Sequence, residues 1–509
     1  MDYCFERLAP LYLEAMIKKV SVNVLKEIQM KRFIVILLSV MVLVLGVSMV
    51  AAQELPGSGW ESGQQIQNVG TAGTDITLTV YNQDGVSAEC GSKPADPGES
   101  VNFLTDECAV PVGFQGSGVV SAGSPIAAIV NVNNRTVGAA AGQYRGTDGD
   151  DVATQIAFPL VKNQFAGRTT IYYVQNASGG LIDIDATFTT GTLGGATTDY
   201  PVSFQDVPAN AMVIIAPADA SVPANQVGSL VVTGTGALAG SALEYEDGVA
   251  VAANLQASKA FTPSDYDSSA YCPLVRNAHT SRDQTTGIQA QNVSGAAQTI
   301  TVDYTFSVGG GAVQTDSVTS PELADGESFT FFGKDATYGL PAGALGSAIV
   351  TGDSDGDIAV VVNDRGFALS PSPVTTYACF PASSATAEIT VPLYKEYFFG
   401  NTSGIQVQNV SGSDVTVTLE YNPVGGTAAE VSHTEPIPAG GSKTFFGVSQ
   451  GTAPSDIDGA EPSLVNTYGG VVITSDGGNI VAIANESSFG GFGTTASGQD
   501  TKNYEGFNK

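Results

Sequence analysis

Four times along the chain a Gln-Asn dipeptide closes a short apolar run: Ile66-Gln67-Asn68, Val174-Gln175-Asn176, Ala290-Gln291-Asn292 and Val407-Gln408-Asn409. The asparagines stand 108, 116 and 117 residues apart. A period of this length means one structural unit used several times, and it constrains the fold before any local propensity is weighed. Eight residues after each Asn stand Ile76, Ile184, Ile300 and Val417. Leu78, Ala186, Val302 and Leu419 follow two residues later, then Val80, Phe188, Tyr304 and Tyr421. Alternation with period two marks a half-buried strand. The Gly-, Ser- and Ala-rich gap before it reads as a turn, which an Asn starts by bonding its own backbone.

The second half of the unit repeats as well. A turn comes first: Asp96-Pro97-Gly98-Glu99-Ser100, Val207-Pro208-Ala209-Asn210, Ala324-Asp325-Gly326-Glu327-Ser328 and Pro438-Ala439-Gly440-Gly441-Ser442. An apolar or aromatic strand follows, as in Phe329-Thr330-Phe331-Phe332. Next come strands around Val119-Val120, Val231-Val232, Ile349-Val350 and Val471-Val472, and then Ile126-Ala127-Ala128-Ile129-Val130 and its counterparts. Phe158-Pro159-Leu160-Val161, Cys272-Pro273-Leu274-Val275 and Val391-Pro392-Leu393-Tyr394 read as the first strands of the second, third and fourth repeats. Six to seven strands in each of these units is the arithmetic of an immunoglobulin-like β-sandwich. The expectation is an all-β chain with four tandem sandwiches at 53–155, 156–270, 271–386 and 387–509, joined by short linkers into a stiff rod.

The motif order carried by Ile405-Gln406-Val407-Gln408-Asn409-Val410-Ser411-Gly412 and by the turns above resembles repeat domains in secreted surface proteins of filamentous bacteria of the Chloroflexota type. The resemblance spans residues 60–509 and implies an extracellular β-sandwich array. It brings no functional residues with it.

Residues 1–52 read as a leader. Met30-Lys31-Arg32, the apolar run Phe33 to Val47 and the small residues ending in Ala51-Ala52 form a secretory signal peptide, with Met30 as an alternative start and cleavage after Ala52. The chain of 509 residues holds 20 Lys and Arg against 50 Asp and Glu, a net charge of −30. Six basic and four acidic residues lie in 1–52, which leaves −32 beyond the leader. Such a surface repels phosphate, so nucleic acid is not an expected partner. Nor is stable membrane insertion expected after cleavage. The four cysteines beyond the leader suggest two disulfides and an oxidising compartment, Cys90 with Cys108 and Cys272 with Cys379.

Chemistry is sparse. Gly447-Val448-Ser449-Gln450-Gly451 matches a nucleophile elbow, but that motif needs a parallel strand and a helix around it. His279 and His433 fall in different repeats, so no His-based triad forms within one unit. No cofactor is expected. Asp353, Asp355 and Asp357 resemble the opening of a calcium loop, read either as an acidic turn or as a weak calcium site. Of the sequons, Asn176, Asn292 and Asn409 belong to the Gln-Asn turn itself. The expectation is therefore no enzyme. It is a secreted structural protein of a cell-surface layer, sheath or filament, or alternatively an adhesin or glycan-binding module. Repeat one lacks a Pro-Leu first strand and repeat four lacks a successor. These features suggest an unpaired edge, an uncovered end face and self-association head to tail.

Overall fold

The computed structural model describes residues 55–508 apart from 135–139, 250–253, 369–371, 397, 399–400, 425–428, 433–435, 447–466 and 489–500. The leader, His433 and the Gly447–Gly451 motif lie outside the described residues. Residues 52–509 form one compact unit.

The described chain is all-β, and its antiparallel strands form seven sheets. The third repeat shows the plan. Its eight main strands are Ser269–Asn277, Gln284–Asn292, Ile300–Val308, Gln314–Thr319, Ser328–Phe332, Ala344–Gly352, Ile358–Gly366 and Val374–Ala378, and the two-residue strand Phe380–Pro381 adds to the outer edge of the first. Strands four, three, six and one make one sheet; strands five, two, seven and eight make the other. Ile288, Val302, Tyr304, Phe331, Val350 and Tyr377 fill the space between them. The pairings of strand two with five and three with six are those of an immunoglobulin sandwich. At the edges, strand one lies beside six and strand seven beside two. In the second repeat one long strand, Gln226–Glu246, supplies both strand six and strand seven, merging the repeat into a seven-stranded sheet.

Each Gln-Asn pair holds its repeat's turn. Asn292 is fully buried and donates from Nδ2 to Ala296 O at 2.7 Å and Leu323 O at 2.9 Å, while its Oδ1 accepts from the Ser294 N–H at 3.1 Å. Asn68, Asn176 and Asn409 do the same in their own repeats. A buried amide with its donors and acceptor satisfied explains why an uncharged polar residue recurs inside an apolar strand. The same burial makes the sequons at Asn176, Asn292 and Asn409 structural residues. Gln291 Nε2 reaches Gly326 O at 3.0 Å across the turn. That turn needs a left-handed residue, and Gly98, Asn210, Gly326 and Gly440 supply it with φ of 79°, 59°, 83° and 73°.

The turns also join the repeats. Ser117 Oγ of repeat one donates to Asn210 O of repeat two at 2.6 Å. Ser229 Oγ of repeat two donates to Gly326 O of repeat three. Ser347 Oγ of repeat three donates to Gly440 O of repeat four at 2.7 Å. The series then returns to the start. Gly470 stands at the serine position of repeat four, and a Cβ there would lie 2.7 Å from Gln67 Nε2 of repeat one. Ser100 Oγ of repeat one donates to Pro392 O of repeat four at 3.5 Å. The eighth strands, Ala141–Arg145, Leu255–Lys259, Val374–Ala378 and Thr501–Glu505, each pack on the next and the last on the first.

The four repeats thus close into a ring rather than extending as the expected rod. The physical cause is the seventh strand, which is apolar on both faces. Val481 and Ile483 of repeat four enter the core of repeat three, and Ile129 of repeat one enters that of repeat four. Repeat four's end face is therefore covered. Among the described residues repeat one shows no first strand: the sheet holding Gly116–Ala122 has three strands, and that strand pairs only with Thr74–Asn82.

Candidate functional site

Both expected disulfides form. Cys90 and Cys108 have Cα atoms 4.0 Å apart, and Cys272 and Cys379 have theirs 4.7 Å apart. Cys272 sits on the first strand and Cys379 just beyond the eighth, so the second bridge staples the two sheets of repeat three. Two disulfides fit an oxidising compartment such as the cell exterior.

Asp353, Asp355 and Asp357 lie in a short turn between strands six and seven of repeat three, and all three are exposed. The Gly356 N–H donates to Asp353 O at 3.0 Å and Asp355 takes a φ of 61°, so the backbone closes the turn by itself. Among the described residues, no group of three or more His, Cys, Asp or Glu side chains is placed to hold a metal ion. His279 stands in the turn between the first two strands of repeat three.

An opening lies where repeat four meets repeat one. It is a cleft of about 640 Å³. Repeat one supplies Glu61, Gln64 and Gln65 from its Gln-Asn strand, Asn102 and Leu104 from Ser100–Leu104, and Asn131 and Asn133 from Ile126–Asn134. Repeat four supplies Leu393 and Lys395 from Glu388–Glu396, Phe398 just beyond it, Tyr468 from Thr467–Ser475, and Lys502. The rings of Phe398 and Tyr468 are stacked, with centroids 4.5 Å apart and planes tilted by 38°. Carboxamides, a stacked aromatic pair and two ammonium groups thus share one concave wall. Such a surface can pack an apolar ring face while offering donors and acceptors around it.

The two lysines are held from behind. Glu486, on the seventh strand of repeat four, bonds Lys395 Nζ at 2.7 Å and Lys502 Nζ at 2.9 Å. Its side chain is only 3% exposed. Burial would raise its carboxyl, but the two ammonium groups and their hydrogen bonds outweigh that and hold it down at about 2. The arrangement belongs to the repeat. Lys162, Arg276 and Lys395 all stand two residues after the Pro-Leu pair, and their partners Glu244, Asp364 and Glu486 occupy equivalent places on the seventh strand. Repeat one has neither partner among the described residues: no first strand is present there, and Val132 fills the acid's place. The signal for these residues is a charge inside an otherwise apolar strand, repeated three times. The signal for the cleft is absent from the sequence, since its walls come from opposite ends of the chain.

At the ring axis the eighth strands bring polar groups together. Thr376 Oγ1 donates to Gln256 Oε1 at 2.9 Å, and Asn503 Nδ2 reaches Thr375 Oγ1 at 3.3 Å. The Ala378 N–H donates to the carboxylate of Glu505, and Arg145 lies over the Phe507 ring at 4.2 Å. Burial pushes the Glu505 carboxyl up, against the bond from Ala378.

No known protein family matches this chain, and no characterised protein matches it in sequence. Among solved structures, a glycoside hydrolase of family 32 from Bifidobacterium adolescentis matches at 10% identity over 90% of this chain and 95% of that one, with a TM-score of 0.15. This match corrects the expectation that the chain is no enzyme, and absence of catalysis is not carried forward. A TM-score of 0.15 carries no argument for a shared fold or activity either. Among the described residues no helix is long and apolar enough to cross a membrane.

Proposed function

We propose that this is a secreted cell-surface protein that binds a saccharide in the cleft between its first and fourth repeats. One observation carries the reading: a cleft of about 640 Å³ lined by carboxamides and by the stacked Phe398 and Tyr468. That volume falls within the roughly 300–1,000 Å³ of small-ligand sites. A pyranose ring has an apolar C–H face that packs on an aromatic ring, and hydroxyls that both donate and accept, as Asn and Gln side chains do. The glycan-binding alternative is thereby favoured over the layer or filament, because the end face that motivated head-to-tail assembly is packed inside the ring. The test is a glycan array probed with the purified full chain, alongside a Phe398→Ala, Tyr468→Ala double variant. Binding that the double variant loses supports the reading. No glycan bound above a background protein refutes it.

A second reading rests on the bare edge of Gly116–Ala122. An unpaired strand is a template for strand addition, so a second copy could pair there and build a surface assembly. Light scattering decides this. A monomer at high concentration refutes it.

A further inference from the structure

We infer that the saccharide taken by this cleft is an acidic one, with a sugar ring against Phe398 and Tyr468 and its carboxylate at Lys395. The inference rests on the saccharide-binding reading and adds the charge of the ligand to it.

The argument begins with charge. The chain carries −30 overall, yet the charged groups lining the cleft are Lys395, Lys502 and Glu61. Two of the chain's 20 basic residues therefore meet in one opening of a strongly acidic protein. Behind them, one carboxylate, Glu486, bonds both ammonium groups, so with Glu61 the site sets two cations against two anions where the chain as a whole carries a large acidic excess. The equivalent sites are sealed or balanced. In repeat two, Lys162 and Arg168 pair with Glu244, and the side chains of Lys162 and Glu244 are 14% and 4% exposed. In repeat three, one Arg276 meets one Asp364. Only in repeat four does the triad line the large cleft, where the Lys395 side chain is 20% exposed. An ammonium has three N–H donors, and Glu486 engages Lys395 once.

A charge-assisted bond from ammonium to carboxylate is stronger than a neutral one and is aimed by geometry. Asn131 and Asn133, on the wall contributed by repeat one, suit the hydroxyls of the same sugar. The acidic exterior limits the ligand further. A long polyanion would meet repulsion from the rest of the surface, whereas a short acidic oligosaccharide places its charge at the lysines.

The test is calorimetric titration of the full chain with a tri-uronic acid and with its carboxyl-reduced neutral analogue. The acidic trisaccharide is expected to bind about tenfold more tightly, as one charge-assisted bond provides. Lys395→Gln should bring the two ligands to similar affinity, and Phe398→Ala should weaken both. Because Lys395 also supports Glu486, a second variant avoids the ion pair: Ser62→Asp adds a negative charge at an exposed position of the cleft wall that has no assigned contact with the sugar, and should weaken the acidic ligand and spare the neutral one. Equal binding of the two trisaccharides, unmoved in ratio by either charge variant, overturns the acidic assignment and leaves the saccharide reading standing. Binding of neither trisaccharide overturns the assignment, and the glycan array then decides the broader reading.

Discussion

Replacing Glu486 with Gln tests whether the triad beneath the cleft is held by charge. The carboxyl falls from an ordinary value of 4.5 to about 2 in the folded chain. At 1.36 kcal/mol per unit, that difference is worth about 3 kcal/mol of folding stability. The folded value is the lower one, so the contribution is complete above pH 4.5 and is lost as pH falls through about 2. In the E486Q variant the ammonium groups of Lys395 and Lys502 remain, with no carboxylate between them. Removing one partner from a buried pair costs about 3–5 kcal/mol. The assay is urea unfolding of both proteins at pH 7, 4.5, 3 and 2, because many other carboxylates titrate in the same range and only the difference isolates Glu486. The gap between the proteins should be widest at neutral pH and narrow by about 3 kcal/mol towards pH 2. A gap that is the same at pH 7 and pH 2 would refute the charge argument and make Glu486 a packing residue.

Glu505, at the ring axis, should behave in the opposite sense. Burial raises its carboxyl, so its ionisation costs stability as pH rises above the ordinary value, and E505Q should be as stable as the parent or more so at pH 7 and show no gain below pH 4.5. Non-reducing peptide mapping should yield a Cys272–Cys379 linked peptide, and the double Ser variant should lose about 4–5 kcal/mol, since the bridge closes a span of 107 residues. Asn292→Ala should cost about 2–4 kcal/mol in the same unfolding assay, because the carbonyls of Ala296 and Leu323 and the N–H of Ser294 lose their partner. Calcium bound at Asp353, Asp355 and Asp357 would raise the melting temperature in millimolar calcium above that in chelator; equal melting temperatures would make this segment a plain acidic turn.

What the sequence revealed and what it concealed divide along one physical line. Contacts within a repeat were legible because each is local or periodic. The alternation from Ile300 to Phe306 is the strand that packs inward. The Gln-Asn turn was readable as turn chemistry, and its full burial follows from the apolar run it ends. The pairing of Cys272 with Cys379 was legible from their places at the two ends of one repeat. Contacts between repeats were not, because the serine that recurs at the start of the sixth strand does not say that its hydroxyl reaches a carbonyl in the next repeat. One sign was present. Ile480-Val481-Ala482-Ile483-Ala484 and Ile358-Ala359-Val360-Val361-Val362 are continuous apolar runs, and such runs bury both faces of a strand. Read that way, the seventh strand already calls for a neighbour on its outer side. The cleft was illegible for a different reason: Gln64 and Tyr468 are 404 residues apart, and only ring closure brings them to one wall.

Closure also sets how many repeats this architecture accepts. A solenoid grows by adding a unit at either end and needs capping units where the stack stops. Here each turn rests on the sheet before it, and the fourth returns to the first through Gly470 and Gln67. A fifth unit copied into the chain would have no place to sit without changing the angle at every junction, and loss of one would leave two faces exposed. The gene duplications that lengthen solenoids would break this molecule.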